Sequence, residues 1–145
     1  MVKSVMIKDL IANFYELWGG FYLGKFSNLM YSEDLYLPVA LYSILIALVL
    51  NVLYYYILNR PSTGNLKVWS LHIVLGCVIN AIVAYVSSQN DLIEIFASEN
   101  QVIPESFYYD MVIFAIINAG WTVILMFLLS LILKWKSPNS SYIPF

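Results

Sequence analysis

The hydrophobic positions of this chain form three long runs that contain no Asp, Glu, Lys or Arg. The runs cover residues 37–58, 68–86 and 111–133. About 20 mainly apolar residues suffice for an α-helix to cross the hydrocarbon core of a bilayer. Because backbone polar groups in lipid have to bond to each other, each run is predicted to be a transmembrane helix.

A different pattern precedes the first run. Apolar residues recur there with the i, i+3, i+4 spacing of one helix face, namely Ile7, Leu10, Ile11, Phe14, Leu17, Trp18 and Phe21. This spacing predicts an amphipathic helix over residues 4–23 that lies in the membrane interface or docks on a protein partner. The competing interpretation makes residues 10–24 a fourth span, but that stretch is short and contains Glu16 and a glycine pair.

Composition supports the membrane interpretation. Of the 145 residues, 61% are hydrophobic and only 11% are charged, whereas a soluble domain has about half apolar and a quarter charged residues. The predicted fold is therefore an all-α integral membrane protein with three transmembrane helices preceded by an N-terminal amphipathic, interfacial helix. Its segments are 1–36 (helix and linker), 37–133 (membrane domain with an acidic loop at 87–110) and a tail at 134–145.

The charges between the runs predict the orientation. Arg60 and Lys67 lie between the first two runs, and Lys134 and Lys136 follow the third, while residues 87–110 carry five acidic residues and no Lys or Arg. Short loops rich in Lys and Arg stay in the cytoplasm. We therefore expect a multi-pass protein of the cytoplasmic (inner) membrane, with its N-terminus outside and its C-terminus inside. Enrichment in Asn, Ile, Lys and Tyr suggests a bacterial source.

Each run contains one carboxamide, and small residues share its helix face. At about 1.5 Å of rise per residue, Asn80 and Asn118 lie at a similar depth, roughly 12 Å below the outer boundary. Small residues let helices approach in lipid, where amides then bond across them. The predicted helix-packing residues are Ser43, Ala47, Asn51, Gly76, Asn80, Ala84, Ser88, Ala115, Asn118, Ala119 and Thr122. The alternative role for the amides is to line a polar path.

Candidate chemistry is sparse. His72, the only histidine, lies near the predicted cytoplasmic end of the second run, and Cys77 is the only cysteine. Neither has the partners that a catalytic or metal site needs, so we expect no enzymatic activity and no cofactor. The net charge of −2 gives no reason to expect a nucleic-acid partner.

Two functions fit this pattern. The first is a non-enzymatic membrane subunit that anchors or scaffolds a larger assembly, for example a bacterial secretion, injection or defence machine. Its partners would be the bilayer and other protein subunits or copies of itself. The second is an oligomeric pore-former, because three spans with this orientation resemble the topology of one class of phage holins, a resemblance that implies membrane permeabilisation.

Overall fold

A computed structural model describes residues 2–58 and 65–135, with side chains from residue 6 onward. The described part is 85% helical and contains no strand. The helices are α1 (Val2–Glu16), α2 (Lys25–Ser32), α3 (Tyr36–Val52), α4 (Leu66–Ser98) and α5 (Glu105–Lys134), and a π-helical segment, Leu53–Leu58, continues α3. Residues 59–64, which include Arg60, and residues 136–145 of the predicted tail lie outside the described residues.

Three helices in the described ranges are long and apolar enough to cross a membrane: Tyr36–Leu58, Leu66–Ser98 and Glu105–Lys134. The predicted all-helical fold with three such helices is therefore confirmed. Asn65 caps the second of them, since its side-chain oxygen accepts a hydrogen bond of 3.0 Å from the Val68 N–H. Glu105 in the first turn of α5 and Lys134 in its last turn match the helix dipole.

The long helices pack as a bundle in which α4 runs antiparallel to α3 and α5. Ser43 contacts Asn118, and further along both helices Asn51 contacts Ser130, so α3 and α5 run in the same direction. Asn118 contacts Asn80, whereas the later Met126 meets the earlier Gly76, so α4 runs the opposite way. The polar and small faces of all three helices therefore meet along one axis.

The predicted acidic loop at residues 87–110 is largely helical. Because α4 continues to Ser98 and α5 starts at Glu105, only residues 99–104 are non-helical. Buried Leu92 belongs to an apolar cluster with Phe26, Met30 and Phe107, and the rings of Phe96 and Phe107 lie 5.8 Å apart. Packing on α2 and α5 thus continues the helix past the polar residues at which the predicted span ends.

The N-terminal helix is shorter than predicted. It ends at Glu16, and Leu17, Trp18 and Gly19 turn the chain with φ angles of 44°, 52° and 95°. Residues 10–24 therefore do not form one continuous helix. Of the predicted apolar face, only Ile11 is half-buried; the other members, Ile7, Leu10, Phe14, Leu17, Trp18 and Phe21, are exposed. The face of α1 that is buried on the bundle contains Ala12 and Tyr15 instead.

Candidate functional site

A single carboxamide connects four helices in the core. Asn118 is 1% exposed. Its side-chain oxygen accepts hydrogen bonds from the Tyr15 hydroxyl (2.8 Å) and the Ser43 hydroxyl (3.0 Å), and its amide nitrogen donates to the Asn80 backbone carbonyl (3.0 Å). Since these partners come from α1, α3 and α4, Asn118 of α5 fixes the position of each helix relative to the others. We call these four residues the carboxamide network.

Asn80 completes the network from α4. Its amide nitrogen lies 3.4 Å from the Ser43 carbonyl, a long hydrogen bond. Its side-chain oxygen is buried and accepts no hydrogen bond from any described residue. The structure thus brings Asn80 and Asn118 together, as their similar depth predicts, but the contact joins an amide to a backbone carbonyl rather than two amides.

Asn51 lies apart from this network. Its amide nitrogen donates to the Ala47 carbonyl of its own helix at 2.8 Å. Its side-chain oxygen lies 3.1 Å from the Ser130 hydroxyl, which is also 2.8 Å from the Met126 carbonyl. One hydroxyl proton is therefore shared between two acceptors. A single side-chain hydrogen bond thus connects Asn51 to α5.

The small residues form the close contact between α4 and its neighbours. Most of the predicted set is buried: Ser43, Ala47, Gly76, Ala84, Ser88, Ala115 and Thr122, while Ala119 is only half-buried. A Cβ atom added at Gly76 would overlap the sulfur of buried Met126 and lie 3.4 Å from Leu50 Cδ1. A side chain at position 76 therefore fits only if the Met126 thioether moves, so glycine lets α4 and α5 pack at this distance without that shift.

Tyr15 and Ser130 form polar contacts in the core that were not identified from the sequence. Tyr15 belongs to neither face of the predicted amphipathic pattern, and nothing in that pattern indicates that its hydroxyl reaches a distant carboxamide. Ser130 was also not identified, although it continues the four-residue spacing of Asn118, Thr122 and Met126 along α5. That spacing is a signal from which Ser130 could have been found.

Polar contacts fasten α1 onto the bundle. The Trp121 indole N–H donates to the Phe14 carbonyl at 3.0 Å, and the Tyr36 hydroxyl donates to Glu16 at 2.9 Å. Burial raises the pKa of Tyr15 above its usual value, which keeps its hydroxyl protonated as the donor to Asn118. In the middle of α1, the Lys8 ammonium lies 2.8 Å from the Asp34 carboxylate.

An aromatic cluster lies at the opposite end of the bundle, beside the π-helical segment. The Trp69 indole N–H donates to the Tyr55 hydroxyl at 3.2 Å, and the Tyr54 and His72 rings stack with centroids 4.6 Å apart. The Tyr54 hydroxyl and His72 Nε2 are buried without a hydrogen-bond partner among the described residues. The described contact of the His72 side chain is therefore the stacking of its ring on Tyr54, not a hydrogen bond from Nε2.

The buried polar groups of the core form contacts within and between helices. In the described ranges, no three His, Cys, Asp or Glu residues lie close enough together to hold a metal ion. The buried hydroxyls and amides bond mainly to one another and to helix backbones. No protein-family model, curated protein or solved structure matches this chain.

Proposed function

We propose that this protein is a non-enzymatic, multi-pass membrane subunit that anchors or scaffolds a larger membrane-associated assembly. The observation that carries the proposal is the reversed distribution of polarity in α3, α4 and α5. Their amides and hydroxyls point inward, while large apolar side chains such as Leu45, Leu71 and Ile116 are exposed. In the most apolar 18-residue window of each helix, only 28% is buried inside the chain. Such a surface is stable in lipid and insoluble in water.

The orientation proposed for the chain follows the distribution of its charges. Arg60 and Lys67 would lie in the cytoplasm with the C-terminus, and the acidic residues between α4 and α5 would lie outside. The exposed apolar side chains of α1 and of the turn after it, such as Leu10 and Trp18, would then contact the outer membrane interface. Tryptophan favours that region because its ring is apolar and its N–H is polar.

An anchoring role is supported by an exposed glycine on the outer surface of α5, where another helix could pack closely. Gly120 of α5 is exposed, and a Cβ atom built there meets no atom within 4 Å. Exposed Ile116 and Ile124 flank it on the same helix. A second helix can approach closely at such a position, and close backbone approach drives helix association in membranes.

Purification of the tagged full chain from its native membrane in mild detergent tests the proposal. Other subunits are expected to co-purify with the wild-type protein. Asn80→Leu and Gly76→Leu are expected to lose those subunits at equal membrane abundance, because both distort the bundle that presents the outer surface. The matched control is Asn90→Leu, which changes an exposed residue of α4. Unchanged co-purification in both core variants would contradict the proposal.

The same preparation separates anchoring from pore formation. The purified chain is reconstituted alone into vesicles loaded with a fluorescent dye. A membrane anchor is expected to leave the dye enclosed at high protein density. Dye release that rises with the number of copies per vesicle would overturn the anchoring role in favour of a pore.

A further inference from the structure

A polar cleft of about 280 Å³ lies between α1 and α2. Asp9, Asn13 and Glu16 line it from α1, and Asn28 and Tyr31 line it from α2. We call it the α1–α2 cleft. We propose that this cleft binds an aliphatic polyamine, a linear molecule that carries an ammonium group at each end. The inference goes beyond the proposed function, because it assigns a soluble ligand that membrane anchoring does not need.

The cleft contains two negative charges that the described part of the chain does not neutralise. The carboxylates of Asp9 and Glu16 are both half-buried. A tyrosine hydroxyl donates a hydrogen bond to each of them, from Tyr31 at 2.5 Å and from Tyr36 at 2.9 Å. These bonds fix the carboxylates in place and leave their charge intact. Neither carboxylate belongs to an ion pair among the described residues, so a cationic ligand would supply the missing counter-charge.

The spacing of the two carboxylates favours a linear dication over a metal ion. Asp9 and Glu16 lie on one face of α1, and their Cα atoms are separated by about 10 Å along the helix axis at a rise of roughly 1.5 Å per residue. A Ca²⁺ ion needs its oxygen ligands within about 2.6 Å and cannot bind both carboxylates. The cleft has the volume of about nine water molecules at roughly 30 Å³ each. An aliphatic chain can therefore lie along α1 with one ammonium group at each carboxylate.

Tyrosine rings and carboxamides suit the rest of such a ligand. Tyr22 and Tyr31 line the cleft, and the faces of tyrosine rings attract cations. The Tyr31 ring makes such a contact within the chain, since the Lys8 ammonium lies 4.6 Å from its centroid. The carboxamide oxygens of Asn13 and Asn28 can accept hydrogen bonds from amine groups. The cleft thus offers a partner to the charged groups and to the N–H groups of a polyamine.

Equilibrium dialysis of radiolabelled spermidine against the full-length protein in a non-ionic detergent tests the proposal. Saturable binding of one spermidine per chain is expected. Ethanolamine, which carries one ammonium group, is expected to compete at least roughly tenfold more weakly at equal ionic strength, because it pairs with only one carboxylate. Competition by ethanolamine as strong as that by unlabelled spermidine would overturn the assignment of a polyamine.

Two conservative variants remove the charges of the cleft and keep its hydrogen bonds. Asp9→Asn retains an oxygen that accepts from Tyr31, and Glu16→Gln retains one for the other tyrosine. Each variant is expected to raise the Kd for spermidine at least roughly tenfold. Glu94→Gln removes an exposed acidic residue of α4 outside the cleft and is expected to leave the Kd unchanged. An equal rise in Glu94→Gln would overturn the proposal in favour of general attraction of cations to an acidic surface.

A steric variant tests the position of the ligand without changing any charge. Asn28→Trp places a large ring in the cleft and is expected to abolish saturable binding. Asn90→Trp, at an exposed position of α4, is the matched control and should bind as the wild type does. Circular dichroism of each variant verifies that the chain is still helical. Wild-type affinity in helical Asn28→Trp, or no saturable binding to the wild-type chain, would overturn the proposal.

Discussion

Asn118 and Asn51 are both buried carboxamides in helices that run in the same direction, yet their surroundings differ. Asn118 accepts two side-chain hydrogen bonds and donates one across a helix interface, so it connects four helices. Asn51 donates to its own helix and shares the single proton of Ser130 with another acceptor. The same residue type therefore determines the helix arrangement at one end of the bundle and contributes little to it at the other.

The difference indicates that polar specificity is concentrated near the end where α1 docks. Between the two carboxamides, the bundle depends on shape instead, where Gly76 faces Met126. Beyond Asn51, it depends on the aromatic cluster around Tyr54 and Tyr55. Matched substitutions in each region separate these contributions.

The largest effect is expected from Asn118→Leu. This substitution removes three interhelical hydrogen bonds, each contributing about 0.6–1 kcal/mol in a membrane protein, so the free energy of unfolding should fall by about 2–3 kcal/mol. Asn51→Leu removes one weaker interhelical bond and should lower it by less than about 1 kcal/mol. Unfolding in mixed detergent micelles measures both. Equal losses of unfolding free energy in Asn118→Leu and Asn51→Leu would contradict the different roles assigned to the two carboxamides.

The next effect is expected at Gly76. Gly76→Ala places a Cβ atom against Met126 and should lower the free energy of unfolding by about 1–2 kcal/mol. Gly120→Ala is the matched control, because its Cβ meets no atom within 4 Å. Adding Met126→Ala should make the two losses less than additive. Strict additivity would show that the two residues do not compete for the same space.

A smaller effect is expected from Tyr15→Phe. The ring still stacks on Tyr36, with centroids 5.5 Å apart, so only the hydrogen bond to Asn118 is lost. The expected loss is about 1 kcal/mol. Hydrogen exchange of the α1 amides should accelerate, while Tyr22→Phe, an exposed ring, should leave it unchanged. Unaltered exchange in Tyr15→Phe would mean that this hydroxyl does not hold α1.

The smallest effects are expected at two adjacent tyrosines, with opposite signs. Tyr54→Phe removes a buried hydroxyl that has no partner among the described residues and should raise the free energy of unfolding by up to about 1 kcal/mol. Tyr55→Phe removes the hydrogen bond that the Trp69 N–H donates to the Tyr55 hydroxyl and should lower the free energy of unfolding by about 0.5–1 kcal/mol. A loss in both variants would show that the Tyr54 hydroxyl is satisfied.

The sequence contained more information about the long helices and their polar faces than about the contacts between elements. Runs without charges have one stable backbone form in lipid, so α3, α4 and α5 were predictable. The four-residue spacing around Asn80 predicted which residues are buried, although their role in assembly stays a prediction. The extension of α4 to Ser98 was not predictable from hydropathy, because it depends on Leu92 and Phe96 packing against other elements.

The contact between Tyr15 and Asn118 was not predictable either, since these residues are 103 positions apart. Periodicity reports the faces of one helix and not the pairing of two. The π-helical segment is a similar case. Its apolar and aromatic residues fit an α-helix equally well. The change in hydrogen-bond register therefore cannot be predicted from the hydrophobic pattern of the sequence.

The central proposal, that the long apolar helices of this chain cross a membrane, is tested most directly at α4 by thiol labelling of right-side-out membrane vesicles. In a Cys77→Ala background, single cysteines replace Val102 and Leu66, which are exposed beyond opposite ends of the predicted spans. An impermeant thiol reagent should label Val102→Cys in sealed vesicles and Leu66→Cys only after permeabilisation. Equal labelling of both cysteines in sealed vesicles, or recovery of the chain in the soluble fraction, would contradict the claim.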